Sequence, residues 1–127
     1  MYNYNSEYKI SWLKTRRRDN VSITSDLIRG NTETIILARL IEKDSYGYEI
    51  NKSIKEKTDN EYELKEATLY SAFRRLEQGG MIESYWGNEN QGARRRYYRI
   101  TKLGSVVYEQ NKKDWSEAKK LIDSLIK

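Results

Sequence analysis

A chain of 127 residues and 15.2 kDa has room for one domain with a modest core, and its formal net charge of +5 and pI near 9.3 favour a polyanionic partner. Cysteine and histidine are both absent, which removes disulfides, thiolate and imidazole metal sites, Cys/His nucleophiles and histidine general bases; no metal and no cofactor is expected. No apolar run is long enough to cross a bilayer, no GxGxxG or Walker-type phosphate loop occurs, and the first residues lack the apolar core of a secretory signal, so the expectation is a cytoplasmic protein with no membrane partner.

Residues 1–24 are set apart as an N-terminal extension, rich in Tyr and Asn and carrying Arg16, Arg17 and Arg18. Tyr8, Trp12 and Ile10 or Leu13 have the spacing of a short amphipathic helix that would need a tertiary surface to hold it. From Ser25, the positions Leu27, Ile28, Ile35, Ile36, Leu37, Leu40 and Ile41 recur at helical spacing despite Gly30, which predicts a first core helix. Asp44 or Ser45 is placed to cap a second helix whose inward positions include Tyr46, Ile50 and Ile54, ending near Thr58. After a turn at Asp59 and Asn60, the alternation of Tyr62 and Leu64 with Glu61, Glu63 and Lys65 predicts a very short strand.

A third helix is predicted from about Lys65 to Gln78, with Leu69, Phe73 and Leu76 on its buried side. Projected at about 100° per residue, Ala67, Ser71 and Arg74 fall opposite that stripe, and Thr68, Tyr70 and Arg75 lie on the flanks. Gly79 and Gly80 stop the helix through the left-handed conformation. Two strands follow, Met81 to Trp86 and Arg96 to Ile100, joined by the turn-rich, basic loop GNENQGARR. Thr101 then caps a last helix on which Tyr108, Asn111, Trp115, Ala118, Ile122 and Leu125 repeat at spacings of three and four. The expected fold is mainly α with a small β-hairpin: a winged helix-turn-helix domain over residues 25–100, then a C-terminal dimerisation helix over 101–127.

The exposed side of the third helix has two readings. One is an ordinary solvated face; the other is insertion into a DNA major groove, where Thr, Ser and Arg bond base edges while Arg and Tyr bond phosphates. The basic hairpin that follows supplies a second phosphate contact in the right chain order and favours DNA. Strand alternation puts Arg96, Tyr98 and Ile100 on one face and Arg95, Tyr97 and Arg99 on the other, so Arg94 and Arg95, nearest the tip, are the expected wing contacts. Arg99 is a candidate partner for Glu77 or Glu83, and Tyr97 and Tyr98 are expected to pack. The last helix either packs on its own chain or pairs with a second copy. Pairing is favoured because one small domain cannot bury so long a helix, and two copies match a palindromic operator in double-stranded DNA. Two facing Trp115 indoles would leave a slot for a planar aromatic small molecule, or else simply pack.

The residues also resemble a known family. Tyr46-Gly47-Tyr48, Glu66-Ala67-Thr68-Leu69-Tyr70, Arg75-Leu76-Glu77, Ser84-Tyr85-Trp86-Gly87, Gln91-Gly92, Tyr97-Tyr98, Thr101 and Gly104 together are similar to the PadR-type transcriptional regulators and, within them, to a short multidrug-binding branch. The resemblance spans about residues 26–126. It implies a homodimeric repressor whose last helix packs on the partner's first helix, with Tyr46, Thr68 and Tyr70 approaching DNA. It further implies that Trp115 and its mate sandwich a planar aromatic small molecule; the expectation is that such binding alters the angle or spacing of the two reading heads and releases the operator. Thr34 and Glu33 on the first helix, and Lys119 on the last, stand at pocket positions where that branch has other residues. The extension has no counterpart in the short branch and is either a basic arm on DNA or a strut on the dimer.

Two other readings compete: a winged-helix protein-interaction module without DNA, and an enzyme acting on nucleic acid through Asp, Glu and magnesium. The acids show no convergent spacing, and the expectation is that the protein is not an enzyme.

Overall fold

The structure, a computed structural model, describes residues 27–88 and 94–127. The expected helix around Tyr8 and Trp12, the basic run Arg16 to Arg18 and the tip of the hairpin loop lie outside the described residues. The chain divides into two units, Met1–Asn31 and Thr32–Lys127. Of the first, Leu27 and Ile28 are helical and Arg29–Asn31 form a 3-10 turn. The first core helix therefore starts at Thr32 rather than Ser25. Glycine is a poor helix-interior residue, by about 1 kcal/mol against alanine, and Gly30 sits in the 3-10 turn.

The second unit contains α1 (Thr32–Glu42), α2 (Gly47–Lys57), α3 (Glu66–Gln78), β1 (Ile82–Trp86), β2 (Arg96–Ile100) and α4 (Lys102–Leu125). Ile36, Leu37 and Leu40 of α1, Ile50 and Ile54 of α2, and Leu69, Ala72, Phe73 and Leu76 of α3 are buried together with Leu64, Ile82 and Tyr98. This is most of the predicted helical spacing turned into one core; Leu27 and Ile41, expected on the inward stripe of the first helix, are exposed instead. α1 lies at its centre, packed against α2, α3, α4 and β2.

α2 begins at Gly47, with Tyr46 as its N-cap and no side-chain capping bond. Neither Asp44 nor Ser45 caps it, because both are used elsewhere. Asp44 accepts from the Tyr85 hydroxyl at 2.6 Å, and Ser45 forms a bridge to Tyr98, its N–H and carbonyl pairing with Tyr98 at 3.2 and 2.9 Å. The bridge covers the edge of β2 that β1 leaves open.

The turn between α2 and α3 starts with Asp59 and Asn60 at φ 50° and 65°, where Asn60 N–H returns to the Lys55 carbonyl at 2.8 Å. The strand expected at Tyr62 and Leu64 is absent. Leu64 instead pairs with a side chain: its N–H donates to Asn51 Oδ1 and its carbonyl accepts from Asn51 Nδ2, both at 2.8 Å. One asparagine of α2 satisfies the backbone groups that a neighbouring strand would otherwise have to meet.

At the end of α3, Gly80 N–H bonds to the Glu77 carbonyl and Met81 N–H to that of Leu76, the paired C-cap of a Schellman turn. Only Gly80 is left-handed, at φ 74°; Gly79 keeps helical angles. The hairpin then pairs Ile82 with Ile100 through Trp86 with Arg96. Thr101 caps α4 as expected, accepting from Gly104 N–H at 3.1 Å. Gly104 is where α4 passes the hairpin: a Cβ there would come within 2.1 Å of the Met81 carbonyl oxygen and 2.7 Å of Ile100 Cγ1.

Candidate nucleic-acid interface

The inward stripe of α3 leaves the opposite face outside. Ala67, Thr68, Tyr70, Ser71, Arg74 and Arg75 are all exposed, as the projection of the sequence predicts. Gly47 sets how closely α2 approaches this helix. A Cβ there would meet the Tyr70 hydroxyl at 3.1 Å and Leu69 Cδ2 at 3.3 Å, so a larger residue would have to shift the ends of these α3 side chains. Arg74 makes no ion pair or side-chain hydrogen bond with any described residue. Arg75 differs: its Nε donates to Glu33 at 2.6 Å and its Nη1 to Ser71 Oγ at 2.9 Å. Two of the expected DNA contacts, Ser71 and Arg75, are thus bonded to each other in the free chain, and Glu33, expected beside a ligand, serves α3.

The wing is fixed to α3 by a polar cluster as well as by its core residues. Ser84 Oγ donates to Glu77 at 2.7 Å, while Arg96 Nη2 donates to Ser84 at 2.8 Å and pairs with Glu77 at 3.3 Å. It is Arg96 that takes Glu77; Arg99 takes Glu83 at 2.8 Å, which raises the guanidinium's affinity for its proton. Tyr98 is buried and Tyr97 half-buried, with the Tyr97 ring stacked on Tyr85 at 5.7 Å, so both pack as expected. Burial pushes the Tyr98 phenol up, and donation to Asp44 is the main cause that raises Tyr85.

Arg94 and Arg95 stand exposed at the foot of the loop. Arg94 Nε donates to the Gly87 carbonyl at 3.2 Å, and its guanidinium lies 5.9 Å from the Trp86 ring. The Arg95 guanidinium lies 4.9 Å from the ring of Tyr46, which in turn meets Tyr97 edge-on at 5.4 Å. Tyr46, Arg95 and the hairpin are therefore one cluster, joining the start of α2 to the wing.

Sequence reasoning missed the groove between α2 and α3. Its volume is about 510 Å³, and exposed Tyr48 and Lys52 line it together with Lys55 and Tyr70. The acids Glu56, Glu63 and Glu66 share its wall, so it is not uniformly basic. Tyr48 and Lys52 fall one turn apart on the outer side of α2, a spacing that was available in the sequence.

α4 changes character along its length. Gly104 is buried, Tyr108 and Asn111 are half-buried, and Asn111 Nδ2 donates to Thr34 Oγ1 at 3.0 Å within the chain. Thr34 and Asn111, assigned from the sequence to the pocket and the dimer seam, are thus joined to each other. Beyond them Trp115 is 46 % exposed, Ile122 50 % and Leu125 80 %, with Leu121 and Ile126 also uncovered; Ala118 is half-buried and Lys119 exposed. One continuous helix face is covered in its first half and bare in its second. Among the described residues, no helix is long and apolar enough to cross a membrane.

Residues 36–110 match the model of the transcriptional regulator PadR-like family. An uncharacterized protein of Lysinibacillus sphaericus is 48% identical over 101 residues, covering 80% of this chain and 93% of its own. Among solved structures, a transcriptional regulator from Clostridium thermocellum is 55% identical with a TM-score of 0.75, covering 81% of this chain and 100% of that one. A PadR family transcription regulator from Clostridium difficile R20291 is 38% identical with a TM-score of 0.68, covering 76% and 99%.

Proposed function

The chain belongs to the PadR-like family of transcriptional regulators, and from this we propose that it is a dimeric repressor that reads double-stranded DNA with α3 and steadies itself with the wing. The observation that carries the reading is that Ala67, Thr68, Ser71 and Arg74 are exposed on α3 and Arg94 and Arg95 are exposed on the hairpin, two elements joined by the Glu77, Ser84 and Arg96 cluster. A helix offering small, hydroxylated and guanidinium side chains suits base edges, and paired arginines suit phosphate.

Dimerisation through α4 is supported by its bare half. Trp115, Ala118, Ile122 and Leu125 continue the same face that Gly104 and Asn111 bury on α1 and the hairpin, which leaves a second copy as the natural cover. Two-fold pairing places two reading helices on half-sites about 10 bp, or a multiple of it, apart. The same seam would bring two Trp115 indoles together and form a slot for a planar aromatic effector, with Thr34 and Lys119 nearby. Binding there would reset the angle between the reading heads and release DNA.

Selection from a randomised duplex library tests the proposal. Recovery of a two-fold symmetric motif supports it. A library that returns no enriched sequence, from protein that melts cooperatively, would leave a winged-helix protein-interaction module as the better reading.

A further inference from the structure

Glu33 and Arg75 stand 42 positions apart in the chain, yet they form a 2.6 Å ion pair, between the first turn of α1 and the exposed side of α3. Arg75 Nη1 also donates to Ser71 Oγ one turn back, so the arginine that the carboxylate holds is bonded in turn to a hydroxyl on the exposed face of α3. Glu33 itself is steadied by its neighbour: Thr34 is bonded to Asn111 of α4, which fixes this turn of α1. The adjacent Arg74 has no such partner among the described residues. Two consecutive arginines on one helix therefore differ in the charge they offer to an incoming ligand: Arg74 is a bare cation, and Arg75 is a neutralised pair.

We propose that Glu33 is a specificity-determining residue, which withholds Arg75 from indiscriminate phosphate contact and so keeps affinity for unrelated DNA low. The inference rests on the reading of α3 as the DNA-contacting helix. A phosphate that takes Arg75 either competes with Glu33 for Nε or bonds the remaining N–H groups with the carboxylate still at close range. Both side chains of the pair are partly exposed, 54% for Arg75 and 38% for Glu33, so the pair is exchangeable rather than locked. Non-specific binding is a count of phosphates neutralised, and each cation removed from the count lowers both affinity and its salt dependence.

The test uses the full chain and a mixed-sequence duplex of about 30 bp without symmetry, titrated by fluorescence anisotropy between about 50 and 200 mM salt. Wild type, Glu33→Gln, Arg75→Ala and the double variant are compared, with Glu33→Ala as a second removal of the carboxylate and thermal melting to show that each folds. Glu33→Gln is expected to bind this duplex several-fold more tightly, and the slope of log K against log salt to steepen by about 0.9 for each arginine freed. In the Arg75→Ala background the same change is expected to do little. An unchanged slope in Glu33→Gln and Glu33→Ala would overturn the inference, and so would an equal gain with and without Arg75, which would make Glu33 a distant repulsive charge. If wild-type protein fails to bind any duplex even at low salt, the DNA reading itself falls and takes this inference with it.

Discussion

The ring of Tyr98 lies on that of Phe73, with centroids 3.9 Å apart and planes 18° from parallel, so the hairpin and α3 share one buried aromatic contact. Tyr98 also carries the backbone bridge to Ser45, which leads into α2. Through this residue the hairpin, the start of α2 and α3 are joined, so its loss should be felt well beyond its own position.

Tyr98→Ala is expected to lower stability by about 3–5 kcal/mol, the usual cost of emptying a buried aromatic site, while Tyr98→Phe keeps the stack and costs much less. Equilibrium urea unfolding measures both. Equal losses in the two variants would place the stabilisation in the hydroxyl instead of the ring.

Gly104→Ala should be disruptive well beyond its size, by at least about 1–3 kcal/mol, because the added methyl meets a backbone carbonyl that cannot rotate away. Gly30→Ala is the matched control, since nothing lies within 4 Å of a Cβ there. Thermal melts that rank the two in the opposite order would contradict the packing of α4 on the hairpin.

High pH provides a third check. The fold favours the neutral phenols of Tyr98 and Tyr85, so both titrate above the ordinary 10.0, Tyr98 chiefly through burial and Tyr85 chiefly through its bond to Asp44. Raised values in the folded state mean that this stabilisation is complete below pH 10.0 and fades as pH climbs through the raised values. Unfolding midpoints measured across that range should fall more steeply for wild type than for Tyr98→Phe, which has no phenol to ionise at that position. Parallel curves would count against burial of the phenol.

Much of this architecture can be read in the sequence, for identifiable reasons. The core side of α3, the strands of the hairpin and the Thr101 cap are local: each is set by residues within a few positions, and each is found where the pattern puts it. The strand expected at Tyr62 and Leu64 fails because alternation records burial, not pairing, and Asn51 supplies the hydrogen bonds in a strand's place. The exposed face of α3 follows from helical geometry alone. What its side chains do in the free chain does not, because the partner of Arg75 comes from another helix and Glu77 is taken by Arg96 of the hairpin. The apolar repeat along α4 is legible in the sequence, whereas the Asn111 bond to Thr34 within the same chain depends on how α1 and α4 pack.

The seam makes its own prediction. Ile122→Asp places a charge on a half-exposed apolar position, so it should leave the fold of a single chain intact while shifting sedimentation from dimer to monomer at micromolar concentration. Trp115→Ala should abolish binding of a planar aromatic dye while sparing DNA affinity. Dye affinity equal to wild type would leave Trp115 as plain interface packing.

The central claim is that α3 and the wing grip one duplex together, and Arg74 with Arg94 tests it most directly. Affinity for the selected duplex is measured against salt for wild type and for the Arg74→Ala, Arg94→Ala double variant. At about 150 mM salt the double variant should bind at least about tenfold more weakly, with the salt slope shallower by about 0.9 for each phosphate that the missing guanidinium no longer neutralises. Unchanged affinity and unchanged slope would contradict the account.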